Sequence, residues 1–164
     1  MKNIVLIGMP GAGKSTVGVV LAKNLGMSFI DSDLVIQEKK GKKLHELISE
    51  FGPQGFKKIE DEINASIKVN NTVIATGGSV VYGENAMKHL KEIGTVCYLQ
   101  LSFEAISERL GDLAKRGVVL EKNQTLKDLY EERVPLYEKY ADVIIPCEEK
   151  NIREVVEYIA NKVN

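Results

Sequence analysis

Residues 8–16 of this 164-residue chain have the residue types and spacing needed to bind the phosphates of a nucleotide. They read Gly-Met-Pro-Gly-Ala-Gly-Lys-Ser-Thr and fit the pattern G-x-x-x-x-G-K-[ST]. The glycines allow turns in which successive N–H groups point at phosphate oxygens. Lys14 would add a positive charge for the outer phosphates, and Ser15 a hydroxyl ligand for Mg²⁺. The residues predicted to hold a nucleoside triphosphate are Gly11, Ala12, Gly13, Lys14, Ser15 and Thr16.

The segments on either side of this loop favour the same interpretation. Residues 3–7 form an apolar run that predicts a buried strand, and residues 16–25 predict a helix whose positive dipole end faces the loop. A plain glycine-rich turn is the simpler alternative, but strand, loop and helix agree with the motif together. The dinucleotide pattern G-x-G-x-x-G fails, because Thr16 stands where its third glycine would be.

Two aspartates, Asp31 and Asp33, follow the second apolar segment with one residue between them. Phosphoryl transfer uses a carboxylate near the metal ion and a group that orients or deprotonates the attacking hydroxyl. Because alternate residues of a strand face the same side, both carboxylates are expected near the phosphate loop. We assign the metal role to Asp31 and the hydroxyl role to Asp33. The alternative is that they cap the following helix.

Two further segments contain groups suited to binding an anion. Thr76–Ser79 follows an apolar strand, and its two glycines offer N–H donors and close approach to a phosphate or carboxylate. A plain strand-to-helix turn would have the same sequence. Arg133 could grip a carboxylate with two hydrogen bonds, or instead form an ion pair with a neighbouring glutamate.

Residues 111–120 interrupt helical periodicity and include the adjacent cations Lys115 and Arg116. A loop that brings Arg116 over the triphosphate would stabilise developing charge and exclude water, whereas the alternative is a solvated surface loop. The charged residues between positions 57 and 62 fit the outer face of a helix.

The order of elements predicts how these groups are positioned. Apolar segments at residues 3–7, 28–30, 72–75, 96–101 and 143–145 alternate with helical segments, which indicates a mostly parallel sheet covered on both faces. In such sheets ligands bind beyond the carboxyl ends of the strands. The roughly forty residues between the second and third strands exceed one crossover helix. They predict a helical insertion with a break at Gly52-Pro53 and a helix from Gly55 onwards.

Composition excludes several classes of function. With 22 Lys+Arg against 23 Asp+Glu the net charge is -1, so no overall field favours nucleic acid or an anionic membrane. Cys97 and Cys147 lack metal-ligand spacing and are expected in the core or at a strand edge. No run has the length of a membrane span or the pattern of a signal peptide. We expect a single domain over residues 1–164, monomeric and cytoplasmic, acting on a small molecule.

Taken in order, these residues resemble the shikimate kinase family, small P-loop proteins related to the nucleoside monophosphate kinases. The resemblance covers essentially the whole chain. It is carried by residues 8–16, Asp31-Ser32-Asp33, residues 55–60, residues 75–78, Arg116 and residues 133–137. It implies an α/β P-loop NTPase fold, with a five-stranded parallel sheet of order 2-3-1-4-5 flanked by helices. It also implies a substrate-binding insertion at about residues 33–67 and a lid at about residues 111–123.

The resemblance implies an ATP- and Mg²⁺-dependent kinase that converts shikimate to shikimate 3-phosphate, a step of aromatic amino acid biosynthesis. Three residues are implied as catalytic: Lys14, Asp33 and Arg116. Ser15 and Asp31 would hold the metal ion, while Arg109 would lie beside the adenine and Arg116 on the phosphates. The substrate-binding residues implied are Asp33, Lys57, Gly77, Gly78, Ser79 and Arg133.

Three positions depart from the family pattern. The family has an arginine where this chain has Lys57 and a third glycine where it has Ser79, and its lid usually reads Arg-Pro-Leu-Leu where residues 116–120 read Arg-Gly-Val-Val-Leu. The first two departures lie on the acceptor side, and a lysine ammonium does not reproduce the two-pronged grip of arginine. The sequence therefore leaves open a kinase of another small anionic hydroxylated metabolite, or a nucleotide-binding module that has lost transfer.

Overall fold

The structure, a computed structural model, describes residues 2–111 and 123–163. These residues form one parallel sheet of order β2-β3-β1-β4-β5, which confirms the predicted order. Its strands are β1 (Asn3–Ile7), β2 (Ser28–Asp31), β3 (Thr72–Ala75), β4 (Gly94–Gln100) and β5 (Val143–Pro146). Parallel strands need crossover connections, and the helices between them supply these.

The helices in chain order are α1 (Lys14–Leu25), α2 (Ser32–Lys40), α3 (Leu44–Ala65), α4 (Glu84–Ile93), α5 (Phe103–Leu110), α6 (Leu126–Tyr140) and α7 (Ile152–Val163). A short 3₁₀ turn, Val80–Tyr82, lies between β3 and α4. The lid implied at residues 111–123 lies largely outside the described residues, as does Arg116.

Some element bounds differ from the sequence prediction. Strand β4 begins at Gly94, two residues before the apolar run, because Gly94 and Thr95 pair with Asn3 and Ile4 of β1. Helix α1 begins at Lys14 rather than Thr16, so its first turn includes the lysine and serine of the phosphate loop.

The predicted break in the insertion occurs within α3. Gly52 has φ 72° and ψ 171°, which is not helical, and Pro53 follows it. The helix resumes without a separating loop, because a proline is well accommodated in the first turn of a helix. The segments before and after Gly52 therefore follow one another as one bent element.

Among the described residues, buried apolar side chains form two groups. The main core lies between the sheet and its helices, and all five residues of β1 are buried. A smaller apolar cluster lies within the insertion and consists of Ile36, Leu47, Phe56 and Ile63. The insertion thus packs around apolar residues of its own, beside the carboxyl ends of β1, β2 and β3.

Both cysteines are unbridged, and both are buried as expected. Within residues 2–111 and 123–163, no cluster of His, Cys, Asp or Glu has the arrangement of a metal centre. None of the helices in that part of the chain combines the length and hydropathy needed to cross a membrane.

Candidate active site

The phosphate loop connects β1 to α1 and keeps its lysine in place through its own backbone. Gly13 has φ 92°, a conformation that glycine adopts without a Cβ penalty. The Lys14 ammonium donates to the carbonyl oxygens of Gly8 and Met9, at 2.7 and 2.9 Å. Burial lowers the pKa of Lys14 to about 8, although the charge of Asp33 opposes this effect. The loop therefore presents a nearly buried cation at the end of β1.

Asp31, at the end of β2, serves two partners at once. One carboxylate oxygen accepts the backbone N–H of Asp33 at 2.9 Å and so caps α2. The other accepts the Ser15 hydroxyl at 2.7 Å. Asp31 therefore does cap the following helix, as the alternative interpretation of the sequence proposed. Its second carboxylate oxygen nevertheless reaches Ser15 of the phosphate loop. A hydroxyl and a carboxylate side by side form the kind of oxygen pair that Mg²⁺ binds.

Asp33 lies in the first turn of α2, with its side chain in the cleft beside the phosphate loop. Its pKa is raised to about 6, first by burial and then by the negative charge of Asp31. The charge of Lys14 counteracts part of this rise. A carboxylate with a raised pKa accepts a proton more readily than an ordinary aspartate.

The glycine pair after β3 forms the opposite wall of the cleft, and side chains pack directly against it. A Cβ on Gly77 would lie 2.7 Å from Asp33 Oδ1 and 2.9 Å from Glu60 Oε2. A Cβ on Gly78 would lie 2.8 Å from Arg133 Nη1. Real Cβ atoms do not approach other atoms this closely. Because Gly77 and Gly78 have no Cβ, Asp33, Glu60 and Arg133 can pack directly against the backbone at these positions.

Arg133 extends from α6 into the same cleft and is 1% exposed. Tyr137, one turn further along α6, donates its hydroxyl to the Gly78 carbonyl at 2.6 Å. The ring of Tyr137 stacks on that of Tyr98, with centroids 5.1 Å apart. These contacts fasten α6 to the glycine segment, so the guanidinium stands in a fixed wall of the cleft.

Glu60 is a site residue that the sequence analysis missed, because the charged run around it was interpreted as an outer helix face. Its side chain is 2% exposed and lines the cleft. Burial raises its pKa to about 7, while a hydrogen bond from Ser79 lowers it. The spacing contained the signal: Glu60 follows Phe56 by four residues and precedes Ile63 by three, so it lies on the buried face of α3.

The two positions that depart from the family pattern are both occupied by side chains with partners. The Ser79 hydroxyl donates to Glu60 Oε1, and Ser79 is 5% exposed. The Lys57 ammonium lies 4.0 Å from the centroid of the Tyr82 ring. Lys57 lines a separate depression of about 410 Å³ and is not among the residues that line the main cleft.

The main cleft has a volume of about 390 Å³ and brings together most of the residues predicted from the sequence. Among the predicted residues, those that line it are Gly11, Gly13, Lys14, Ser15, Thr16, Asp33, Gly77, Gly78, Ser79 and Arg133. The other lining residues, to which the sequence analysis assigned no individual role in the site, are Pro10, Leu44, Phe56, Glu60, Thr76 and Leu110.

A second cavity of about 220 Å³ lies on the other side of the phosphate loop. Arg109 lines it and donates to the carbonyl oxygens of Gly11 and Ala12, each at 3.3 Å. Its remaining walls are mostly apolar or uncharged and are formed by Ala12, Gly13, Thr16, Val17, Cys147, Lys150, Asn151, Ile152 and Val155. These walls suit a planar, mainly apolar group that lies beside the phosphate loop.

Comparisons with known proteins identify the family of the chain. The family model described as shikimate kinase matches residues 10–164. The shikimate kinase of Thermodesulfovibrio yellowstonii is 43% identical over 162 residues, which cover 97% of this chain and 93% of that protein. The shikimate kinase of Haemophilus influenzae is 36% identical over 167 residues, covering 99% of this chain and 93% of that protein.

Solved structures give the same result. The shikimate kinase of Acinetobacter baumannii, in complex with shikimate, superposes with a TM-score of 0.89 at 32% identity, covering 99% of this chain and 93% of that one. The shikimate kinase of Aquifex aeolicus superposes with a TM-score of 0.81 at 33% identity, covering 97% of this chain and 94% of that one. A deoxyadenosine kinase of M. mycoides, 16% identical with a TM-score of 0.65, shares the fold alone. With a family model spanning residues 10–164 and relatives above 30% identity over nearly its full length, the chain belongs to the shikimate kinase family.

Proposed function

We propose that this protein transfers the γ-phosphoryl group of ATP to a hydroxyl of shikimate, giving shikimate 3-phosphate. One observation carries the proposal: the Asp33 carboxylate and the Lys14 ammonium line one cleft with the buried Arg133. These three groups are a base for a hydroxyl, a cation for a phosphoryl group and a cation for a carboxylate. Shikimate contains both hydroxyls and a carboxylate.

The donor side of the site is suited to ATP, the phosphate donor of this family. The phosphate loop and Lys14 would hold the phosphates, and Arg116 would add a second cation. The cavity beside Arg109 would take the adenine, because its walls are mainly apolar and lie next to the loop. The role of Arg116 is a prediction from the sequence, since that residue lies outside the described ranges.

On the acceptor side, Asp33 would orient the attacking hydroxyl and accept its proton as the bond to phosphorus forms. Its pKa of about 6 leaves it mainly ionised at neutral pH while making it a stronger base than an ordinary aspartate. Arg133 would hold the substrate carboxylate, with Gly77, Gly78 and Ser79 behind the ring. Lys57 would contribute a second positive charge from the rim.

Mg²⁺ is part of the proposal, and the residues present fit it. The Ser15 hydroxyl and the Asp31 carboxylate are hydrogen-bonded to each other at the edge of the phosphate loop. Both are oxygen ligands of the type that this ion prefers. A bound Mg²⁺ ion would neutralise charge on the phosphate oxygens.

Ser79 is compatible with shikimate as the acceptor. A side chain at this position could have obstructed the substrate, but its hydroxyl donates to Glu60 and the residue is 5% exposed. The serine is therefore accommodated in the cleft wall. The proposal includes a monomeric, single-domain enzyme of the cytoplasm that acts on small molecules and has no nucleic-acid partner.

A coupled assay of ADP release tests the function. Purified protein with ATP and Mg²⁺ is tested with shikimate and, separately, with quinate, other small hydroxy acids and uncharged polyols. We expect ADP release that depends on shikimate and is abolished in Asp33→Asn. Efficient release with another acceptor alone would identify a different kinase, and no acceptor-dependent release would indicate a nucleotide-binding module.

A further inference from the structure

The ring of Tyr82 contacts two cations that come from different helices. The Lys57 ammonium, on α3, lies 4.0 Å from the ring centroid. The Arg133 guanidinium carbon, on α6, lies 5.4 Å from the same centroid. Both distances are within the range over which an aromatic face attracts a positive charge. Tyr82 therefore brings together two like charges that would otherwise repel each other.

The position of the ring is itself fixed from two directions. Tyr82 ends the 3₁₀ turn Val80–Tyr82, directly after the glycine segment that forms the cleft wall. Its hydroxyl donates to Glu132, the residue before Arg133. Gln124 donates to the other carboxylate oxygen of Glu132 at 3.2 Å. The half-buried ring is thus tied to α6 as well as to its own turn.

The two cations act on the same part of the cleft. The charges of both Arg133 and Lys57 lower the pKa of the buried Glu60 carboxylate, in opposition to the larger effect of burial. Arg133 lines the cleft, while Lys57 and Tyr82 line a separate depression. Lys57 therefore lies close enough to the cleft for its charge to act on Glu60, which lines it.

We propose that Tyr82 is a positioning residue for acceptor binding: its ring holds the Lys57 ammonium beside Arg133, so that both cations meet the substrate carboxylate. This inference rests on the proposed function. Lysine has a flexible four-carbon stem, and fixing such a side chain on binding costs conformational entropy. A ring that already holds the ammonium reduces that cost before the substrate arrives.

The inference makes Tyr82 a determinant of specificity for an anionic acceptor. The contribution of the ring concerns charge, so it should be large for shikimate and small for the uncharged methyl ester of shikimate. A residue that only supported the fold would affect both ligands equally.

The test is calorimetric titration of the full chain with shikimate and with its methyl ester. Tyr82→Leu removes the ring, while Tyr82→Phe keeps it and loses the hydroxyl. We expect Tyr82→Leu to weaken shikimate binding roughly 3- to 30-fold, the range of a partly desolvated cation–π contact, and to change ester binding less than about twofold. Tyr82→Phe also removes the hydroxyl that interacts with Arg133, but it should keep the preference for shikimate over the ester because the ring remains. In each variant kcat should change less than KM.

A double-mutant cycle assigns the effect to Lys57. In a Lys57→Met background, Tyr82→Leu should weaken shikimate binding by a smaller factor than in the parent protein. Lys57→Met alone, which leaves the ring in place, should also reduce the preference for shikimate over the ester. Tyr140→Leu is the matched control, because the Tyr140 ring lies 5.1 Å from Lys139 and away from the cleft. It should leave both affinities unchanged.

Failure of this inference is distinguishable from failure of the proposed function. The role of Tyr82 would be overturned if Tyr82→Leu weakened binding of shikimate and of the ester equally. It would also be overturned if Tyr82→Leu weakened shikimate binding by the same factor in the parent and in the Lys57→Met protein. Neither result would affect the proposed kinase activity. If Tyr82→Leu does not fold, the inference is tested with Lys57→Met alone. It is overturned if that variant still prefers shikimate over the ester as strongly as the parent protein does. If the parent protein binds shikimate but shows no shikimate-dependent ADP release, the proposed function is overturned. If the parent protein does not bind shikimate, both the proposed function and the role of Tyr82 are overturned.

Discussion

Replacing Asp33 with asparagine should stabilise the folded protein while abolishing phosphoryl transfer. The pKa of Asp33 is raised from its ordinary value of 3.8 to about 6, chiefly by burial and then by the charge of Asp31. A raised carboxylate pKa means that the folded chain binds the proton more tightly than the unfolded chain does. Ionisation of Asp33 therefore opposes folding, and the contribution of this group to stability falls as the pH rises from about 4 to about 6.

The magnitude follows from the two pKa values. A difference of about 2 in pKa corresponds to about 3 kcal/mol of lost stability once the group is ionised in both states. Asparagine has a similar shape and no charge, so the variant should avoid most of this cost at pH 7. We expect an unfolding free energy up to about 3 kcal/mol above that of the parent, or a Tm roughly 6–12 °C higher. At pH 4 the gain should fall below about 1 kcal/mol.

Urea denaturation of both proteins at pH 4, 5.5 and 7 measures this difference. Glu62→Gln is the control, because Glu62 is an exposed carboxylate on α3 and its neutralisation should change stability by less than about 0.5 kcal/mol. ATP binding, measured separately, should persist in Asp33→Asn while shikimate-dependent ADP release disappears. A variant that is no more stable than the parent at pH 7, or a gain that is the same at every pH, would refute the reasoning.

Three further predictions concern the same cleft. Lys14→Met should lower kcat by at least about 100-fold with little change in KM for shikimate, as measured by coupled ADP release, because Lys14 neutralises charge that develops during transfer; a change in KM alone would contradict this. Gly78→Ala should raise KM for shikimate and lower the unfolding free energy, measured by urea denaturation, by about 1–3 kcal/mol. The reason is that the added Cβ would lie 2.8 Å from both Arg133 Nη1 and Pro10 Cδ. Unchanged kinetics would exclude the glycine segment from substrate binding. The kcat/KM for shikimate should fall about tenfold per pH unit below about pH 6, as Asp33 becomes protonated; a profile flat down to pH 5 would remove Asp33 as the base.

The fold was largely predictable because its signals are local. Apolar runs gave β1 and β3 with the bounds that the structure has, and the motif predicted the strand, loop and helix around Lys14. The order of the strands required the family resemblance, since periodicity alone does not determine which strands are neighbours. Gly94 and Thr95 were missed as strand residues because their pairing with β1 is a tertiary effect.

The candidate site was predictable where function depends on a motif and not where it depends on packing. Lys14, Ser15, Asp31 and Asp33 followed from spacing. Glu60 was assigned to an outer face because its neighbours are charged, although it lies on the same side of α3 as Phe56. Tyr82 carried no local signal, since its contacts with two cations arise only when three separate elements meet.

The central claim is tested most directly by ³¹P NMR of the complete reaction with ATP, Mg²⁺ and shikimate. We predict that a phosphomonoester signal of shikimate 3-phosphate grows in step with ADP, and that Asp33→Asn gives neither signal. ADP accompanied only by inorganic phosphate, or a phosphomonoester formed equally well by Asp33→Asn, would contradict the account.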